Sequence, residues 1–120
     1  MTAALILLFC LATGGSCLYV PDANVTVYAP EMGGHNCMEP CDRTAYLEPL
    51  QYGIGAACGP SIRYGAEVYI NGIGWRTCLD RGGAIDDGEV DILIRAAEYP
   101  SWMSGRRGAV WVMQQSGEAE

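Results

Sequence analysis

The chain has 120 residues, and half of them are hydrophobic, which is enough for one domain with a packed core. Its net charge is −7, and Arg supplies all seven basic side chains. This balance argues against nucleic-acid binding and against adhesion to anionic lipid, because no basic surface is available to neutralise phosphates.

The first 17 residues have the pattern of an export signal. An uninterrupted apolar run over residues 3–12 precedes the small residues 13–16, as in a secretory signal and its cleavage region. The run is too short for a comfortable membrane span. We therefore expect a cleaved or anchoring export signal over 1–17, with membrane contact only through this segment if it stays uncleaved. A buried N-terminal helix is the alternative.

Six short strands are predicted after a linker over residues 18–24, in which Pro21 and Asp22 are typical of turns. Asn71-Gly72 predicts a hairpin between two of the strands, and Pro100 limits residues 95–104 to a short helix or a loop. The pattern predicts a mainly β barrel domain over 25–113, followed by a polar tail over 114–120. The six strands are 25–28, 53–58, 66–70, 74–79, 90–94 and 109–113.

Four cysteines follow the predicted signal, and an even number in a small exported domain indicates disulfides. They are Cys37, Cys41, Cys58 and Cys78. Cys37 and Cys41 lie close enough in sequence for a bond that would stiffen the loop between the first two strands. The spacing lacks the two tight pairs of a zinc ribbon, and we predict no metal and no cofactor.

The stretch with the most candidate functional residues runs from Asp80 to Asp91. It contains five carboxylates and the pair Gly82-Gly83 directly after the first Asp. Glycines let backbone amides approach a ligand, and flanking carboxylates suit acid–base chemistry or a hard cation. We expect Asp86, Asp87 and Glu89 to form a solvated loop tip, because their spacing is not that of an EF-hand.

The order of these motifs resembles the three-aspartate (3D) domain family of bacterial cell-wall enzymes, which includes lytic transglycosylases. The resemblance covers about residues 25–113. The matching segments are Ala57-Cys58-Gly59-Pro60, Tyr64 to Val68, Asn71 to Gly74, Asp80 to Asp91, and Gly105-Arg106-Arg107 before Val110-Trp111-Val112.

The resemblance implies a six-stranded double-psi β-barrel that cleaves the glycan strands of peptidoglycan. It implies Asp91 as the catalytic acid and Asp80 as its partner, with the backbone of Gly82, Gly83 and Ala84 near the substrate. Cys58 stands where the family has its first Asp, and we expect a Cys58–Cys78 disulfide to replace the contacts of that residue.

Two interpretations remain open for each of the other candidate residues. Trp102, beside Pro100, is the aromatic residue that best suits stacking on a sugar, whereas Trp111 suits packing. Arg106 and Arg107 could bind a glycan carboxylate, or one of them could pair with a catalytic Asp and lower its pKa. His35 is expected to be a loop residue.

The sequence thus predicts an exported protein, periplasmic, wall-associated or secreted, and the resemblance implies that its partner is peptidoglycan. The leading function is lytic transglycosylase-like cleavage by an Asp general acid. The alternative is a non-catalytic carbohydrate-binding or wall-loosening module, as in the expansin-like and barwin-like barrels. A third is a small secreted interaction or structural protein.

Overall fold

The computed structural model describes residues 2–14, 17–33, 42–82, 85–104 and 108–115. Short 3-10 turns occur at Pro30–Met32 and Ala96–Glu98. The helices are α1 (Ala3–Gly14) and α2 (Tyr99–Ser104). The strands are β1 (Cys17–Tyr28), β2 (Gly55–Cys58), β3 (Glu67–Ile70), β4 (Gly74–Asp80), β5 (Glu89–Leu93) and β6 (Gly108–Gln115).

The strands close into one barrel in the order β1-β5-β2-β4-β3-β6. The pairs β1·β5 and β2·β4 are parallel, and the other four are antiparallel. Exchanging β1 with β4, β2 with β5 and β3 with β6 reproduces the same neighbours and directions, so the barrel has a two-fold pseudo-symmetry. The predicted fold class, a mainly β, six-stranded double-psi barrel with disulfide support, is confirmed.

The barrel interior is filled by the alternate residues of each strand, as the period of two in a strand requires. On β5, Val90 and Ile92 are fully buried while Asp91 between them is partly exposed. The same alternation on the other strands adds Val25, Ala56, Cys58, Val68, Ile70, Cys78 and Val112 to the interior. The predicted Asn71-Gly72 hairpin is confirmed as the β3–β4 connection, where Gly72 takes a φ of 84° and Ile73 N–H donates to Ile70 C=O at 3.0 Å.

The Cys58–Cys78 disulfide is confirmed, with 5.7 Å between the Cα atoms. It joins the neighbouring parallel strands β2 and β4 inside the barrel, where both residues are 1 % exposed. A second disulfide, Cys10–Cys17, was not predicted. Bonds of this kind form in oxidising compartments, so both agree with export. Cys37 and Cys41 lie outside the described residues.

The prediction of a linker over 18–24 is wrong, because β1 begins at Cys17 and pairs with β6 through this segment. The register shifts by one residue between Val20 and Ala23. Pro21 lies in that bulge, one of the few places where a strand tolerates the missing N–H of proline. Turn-forming residues therefore marked a bulge within a strand.

The N-terminal segment forms α1, which rests on the outside of the barrel. Ile6 and Cys10 are buried against Met113 of β6, and Cys10 is bonded to Cys17 at the start of β1. No helix among the described residues is long and apolar enough to cross a membrane. Near the C-terminal end of the sequence, Gln114 and Gln115 belong to β6 rather than to the predicted tail, and both are buried. Pro100 lies in the first turn of α2, a position where proline is tolerated.

Candidate active site

The two predicted catalytic aspartates lie in one row that crosses four strands. Asp91 of β5 is opposite Thr26 of β1 on one side and Ala57 of β2 on the other, and Ala57 is opposite Asp80 of β4. Residues directly opposite each other in a sheet point to the same face. Cys58 beside Ala57 and Val90 beside Asp91 face the interior, so the row faces outward. Two strand spacings separate the Cα atoms of Asp80 and Asp91, roughly 10 Å.

A β-bulge brings Asp80 into this row. Ala56 is opposite Cys78, but the next residue, Ala57, is opposite Asp80. Leu79 is therefore the extra residue on β4. Without the bulge, Asp80 would be opposite Cys58 and would point into the barrel. Bulges that redirect a side chain are common beside active sites, and the Cys58–Cys78 bond holds the two strands together at this irregularity.

Asp80 is 8 % exposed and accepts three hydrogen bonds. Its Oδ1 accepts from the Ala45 N–H at 2.7 Å and the Arg81 N–H at 2.8 Å, and its Oδ2 accepts from the Tyr28 hydroxyl at 2.9 Å. Burial, the negative charge of Asp80 and the hydrogen bond to it raise the pKa of Tyr28 well above its ordinary value. Tyr28 therefore remains a protonated donor to Asp80.

Asp91 has the properties of an acid that works near neutral pH. Burial raises the pKa of Asp91 from 3.8 to about 6, and the negative charges of Asp80 and Glu89 add to the increase. The Thr26 hydroxyl, which donates to Oδ1 at 2.9 Å, opposes it. With a pKa near 6, roughly one Asp91 in ten holds its proton at pH 7. Asp91 also remains partly exposed, so a substrate can reach that proton.

The side chain of Arg81 anchors the segment that follows Asp80. Its guanidinium donates to the carbonyl oxygens of Cys58, Gly59 and Ile62 and to the Tyr46 hydroxyl. It thereby fixes the turn that follows β2 against the end of β4. Gly82 is half-buried beside it, and a Cβ on Gly82 would meet the Ile85 side chain at 3.0 Å.

Asp87 was predicted to be a solvated residue of a loop tip, but its side chain also binds a second loop. Its carboxylate accepts from the Ser61 N–H at 3.0 Å and the Ser61 hydroxyl at 2.6 Å, and these bonds lower the pKa of Asp87. Gly59 makes this contact feasible, because a Cβ there would lie 2.7 Å from the backbone of Asp86. Asp86 and Asp87 are exposed, as expected, but Asp87 joins two loops beside the site. The prediction that Glu89 belongs to the loop tip is wrong, because Glu89 is the first residue of β5 and is half-buried.

Several predicted site residues do not line the row. Trp102 is half-buried and packs against the barrel core, which leaves only part of its ring for a sugar. Gly83, Ala84, His35, Arg106 and Arg107 lie outside the described residues, as does the side chain of Trp111. Within the described ranges, no three His, Cys, Asp or Glu side chains are grouped so that they could hold a metal ion.

Sequence reasoning missed Thr26 and Tyr28, whose hydroxyl groups donate to the predicted catalytic carboxylates of Asp91 and Asp80. A signal was available, because Val25 and Val27 alternate with them, so the strand has an apolar face and a polar face. The parallel pairing of β1 with β5, which brings that polar face to Asp91, has no such local signal.

Comparison with protein-family models, curated proteins and solved structures finds no match to this chain. The resemblance to the three-aspartate domain therefore rests on the motifs described above.

Proposed function

We propose that this protein is an exported enzyme that cleaves the glycan strands of peptidoglycan, with Asp91 as the general acid. The observation that carries the proposal is the burial of Asp91 in an outward-facing row, which gives it a pKa of about 6. A general acid works best when its pKa lies near the working pH. The fold and the motif order agree with a lytic transglycosylase-like activity.

In the proposed reaction, Asp91 donates its proton to the glycosidic oxygen. The bond between that oxygen and the anomeric carbon breaks, and the leaving sugar departs with a new hydroxyl group. The remaining sugar carries a developing positive charge. Its own hydroxyl then attacks to give an anhydro product, or water attacks to give a reducing end. The Asp91 carboxylate accepts the proton that the attacking hydroxyl or water loses.

Asp80 supports this chemistry by its charge rather than by proton transfer. Both of its oxygens accept hydrogen bonds from the protein, and it is almost fully buried. Its negative charge helps to keep Asp91 protonated. The same charge favours the positively charged transition state on the neighbouring sugar.

A non-catalytic glycan-binding module is the second candidate, and one observation favours it. Cys58 occupies the position of the first aspartate in the resembled family, and its sulfur is committed to the disulfide with Cys78. A barrel that lacks one of three carboxylates could keep a binding surface without turnover.

Digestion of purified sacculi distinguishes the two candidates. The protein should release soluble fragments, and chromatography with mass spectrometry should identify anhydro or reducing ends. Asp91→Asn should abolish release, whereas Asp42→Asn, which removes an exposed carboxylate, should not. Binding to sacculi with no release by the unmodified protein would reject the enzyme and select the binding module.

A further inference from the structure

Arg95 lies on the same outward side of β5 as Asp91. The residues that alternate with them face the core, namely Val90, Ile92 and Ile94. Ile94 N–H donates to the Tyr28 carbonyl at 3.0 Å, so the pairing with β1 continues past the end of β5. Extended backbone rises about 3.3 Å per residue, so the Cα atom of Arg95 lies roughly 13 Å from the Cα atom of Asp91 along the strand direction.

The guanidinium of Arg95 is held over an aromatic ring. Its central carbon lies 4.1 Å from the centroid of Tyr52. Arg95 is exposed and Tyr52 is half-buried. Tyr52 is also close enough to Tyr28 to contribute to the raised pKa of that residue. Stacking occupies one face of the guanidinium and leaves the N–H groups along its edge as donors.

The guanidinium groups of the other described arginines donate hydrogen bonds to acceptors within the protein. Arg81 donates to four oxygens around the turn after β2. The remaining three each donate to one acceptor: Arg43 to the Leu47 carbonyl, Arg63 to the Gln115 side chain and Arg76 to the Trp75 carbonyl. Among the five described arginines, only Arg95 is oriented by a ring face rather than by a hydrogen-bond acceptor.

Two carboxylates lie near Arg95, and both are bound to backbone amides. Glu98 Oε1 accepts from the Arg95 N–H at 2.9 Å, and Glu31 Oε1 accepts from the Ala96 N–H at 2.7 Å. Each therefore stabilises the first turn of the 3-10 segment that follows β5. Their negative charges moderate the attraction of Arg95 for an anion.

We propose that Arg95, stacked on Tyr52, is a subsite for a carboxylate of the glycan. This inference rests on the proposed function and adds a substrate class, glycan strands without stem peptides, whose N-acetylmuramic acid residues carry free lactyl carboxylates. A planar guanidinium matches a carboxylate with two parallel hydrogen bonds. The distance from Asp91 places this contact beyond the bond that is cleaved, so Arg95 selects the substrate and takes no part in proton transfer.

Binding measured in the Asp91→Asn variant tests the subsite without turnover. Isothermal titration would compare a soluble oligosaccharide of alternating N-acetylglucosamine and N-acetylmuramic acid with a neutral N-acetylglucosamine oligomer of equal length. We expect the carboxylate-bearing ligand to bind about tenfold more tightly, the effect of one charge-assisted contact. Arg95→Gln should remove that preference and leave the affinity for the neutral oligomer unchanged.

Two further variants separate the subsite from general charge. Arg43→Gln removes the same charge from another exposed position and should keep the preference. Tyr52→Leu keeps the charge of Arg95 but removes its platform and should weaken the preference. Equal binding of both ligands, binding of neither, or an effect of Arg43→Gln as large as that of Arg95→Gln would overturn the subsite. If the unmodified protein releases nothing from sacculi while the preference is intact, the proposed enzyme is overturned and the subsite stands.

Discussion

Replacing Asp91 by Asn should make the protein more stable, and the gain should depend on pH. The pKa of Asp91 in the folded protein, about 6, lies above its ordinary value of 3.8. The folded state therefore holds the proton more tightly than the unfolded chain does. Between pH 4 and pH 6, stability falls as pH rises, because the folded protein must give up a proton that the unfolded chain has already lost.

The size of this effect follows from the shift. About two pKa units at roughly 1.4 kcal/mol each amount to about 3 kcal/mol of lost stability, complete above pH 7. Asn has nearly the same shape, is neutral at every pH and can still accept the hydrogen bond from Thr26. The variant should therefore gain about 3 kcal/mol in the free energy of unfolding at pH 7.5 and little at pH 4.

Urea unfolding of both proteins at pH 4, 5, 6 and 7.5 measures this difference. Asp42→Asn, at an exposed position, is the matched control and should differ little from the parent at any of these pH values. A carbon-13 titration of the aspartate carboxyl groups should place the midpoint of Asp91 near pH 6. An Asn variant whose stability difference stays constant from pH 4 to pH 7.5 would refute the reasoning, because it would mean that burial does not perturb the carboxyl group.

The remaining predictions concern the packing around the site. Replacing both Cys58 and Cys78 by Ala should lower the free energy of unfolding by about 3 kcal/mol, the loop-closure value for a separation of 20 residues; an unchanged urea midpoint would contradict it. Tyr28→Phe removes the hydroxyl that donates to Asp80 and should lower stability by about 2 kcal/mol, since hydrogen bonds to charged groups are the stronger ones; the same urea titration checks it against the parent. Gly59→Ala should destabilise by more than 1 kcal/mol, because its Cβ would collide with a neighbouring backbone, and a neutral result would show that the two loops separate easily. Gln114 is 1 % exposed, and neither polar atom of its side-chain amide has a hydrogen-bond partner among the described residues. Gln114→Met should therefore raise the midpoint of thermal unfolding, because it removes the cost of burying an unpaired polar group, about 1–3 kcal/mol. A lower midpoint would show that the amide is satisfied.

Local sequence patterns predicted the strands that carry the site. The alternation over 66–70 and the Asn71-Gly72 turn predicted the β3–β4 hairpin, since both depend on neighbouring residues alone. Cys58 and Cys78 lie on either side of that hairpin, and the bond between them was expected from the resemblance. The roles of Asp80 and Asp91 were also inferred from the resemblance, and they stay a prediction.

Other features were missed because their signals are weak or ambiguous. Pro21 and Asp22 are as typical of a linker as of a bulge, and only the pairing of β1 with β6 decides between them. The apolar residues of α1 suit a cleaved signal as well as a helix packed on a barrel. Cys10 was assigned to the signal, and its bond to Cys17 depends on where the helix packs.

By itself, the sequence placed Asp80 and Asp91 on short strands, and it predicted acid chemistry for them. Only the tertiary structure decided what those residues can do. The parallel pairing of β1 with β5 puts Thr26 beside Asp91, and the bulge at Leu79 turns Asp80 outward. Both depend on contacts between segments far apart in the chain, and the burial that raises the pKa of Asp91 exists only once those segments have assembled.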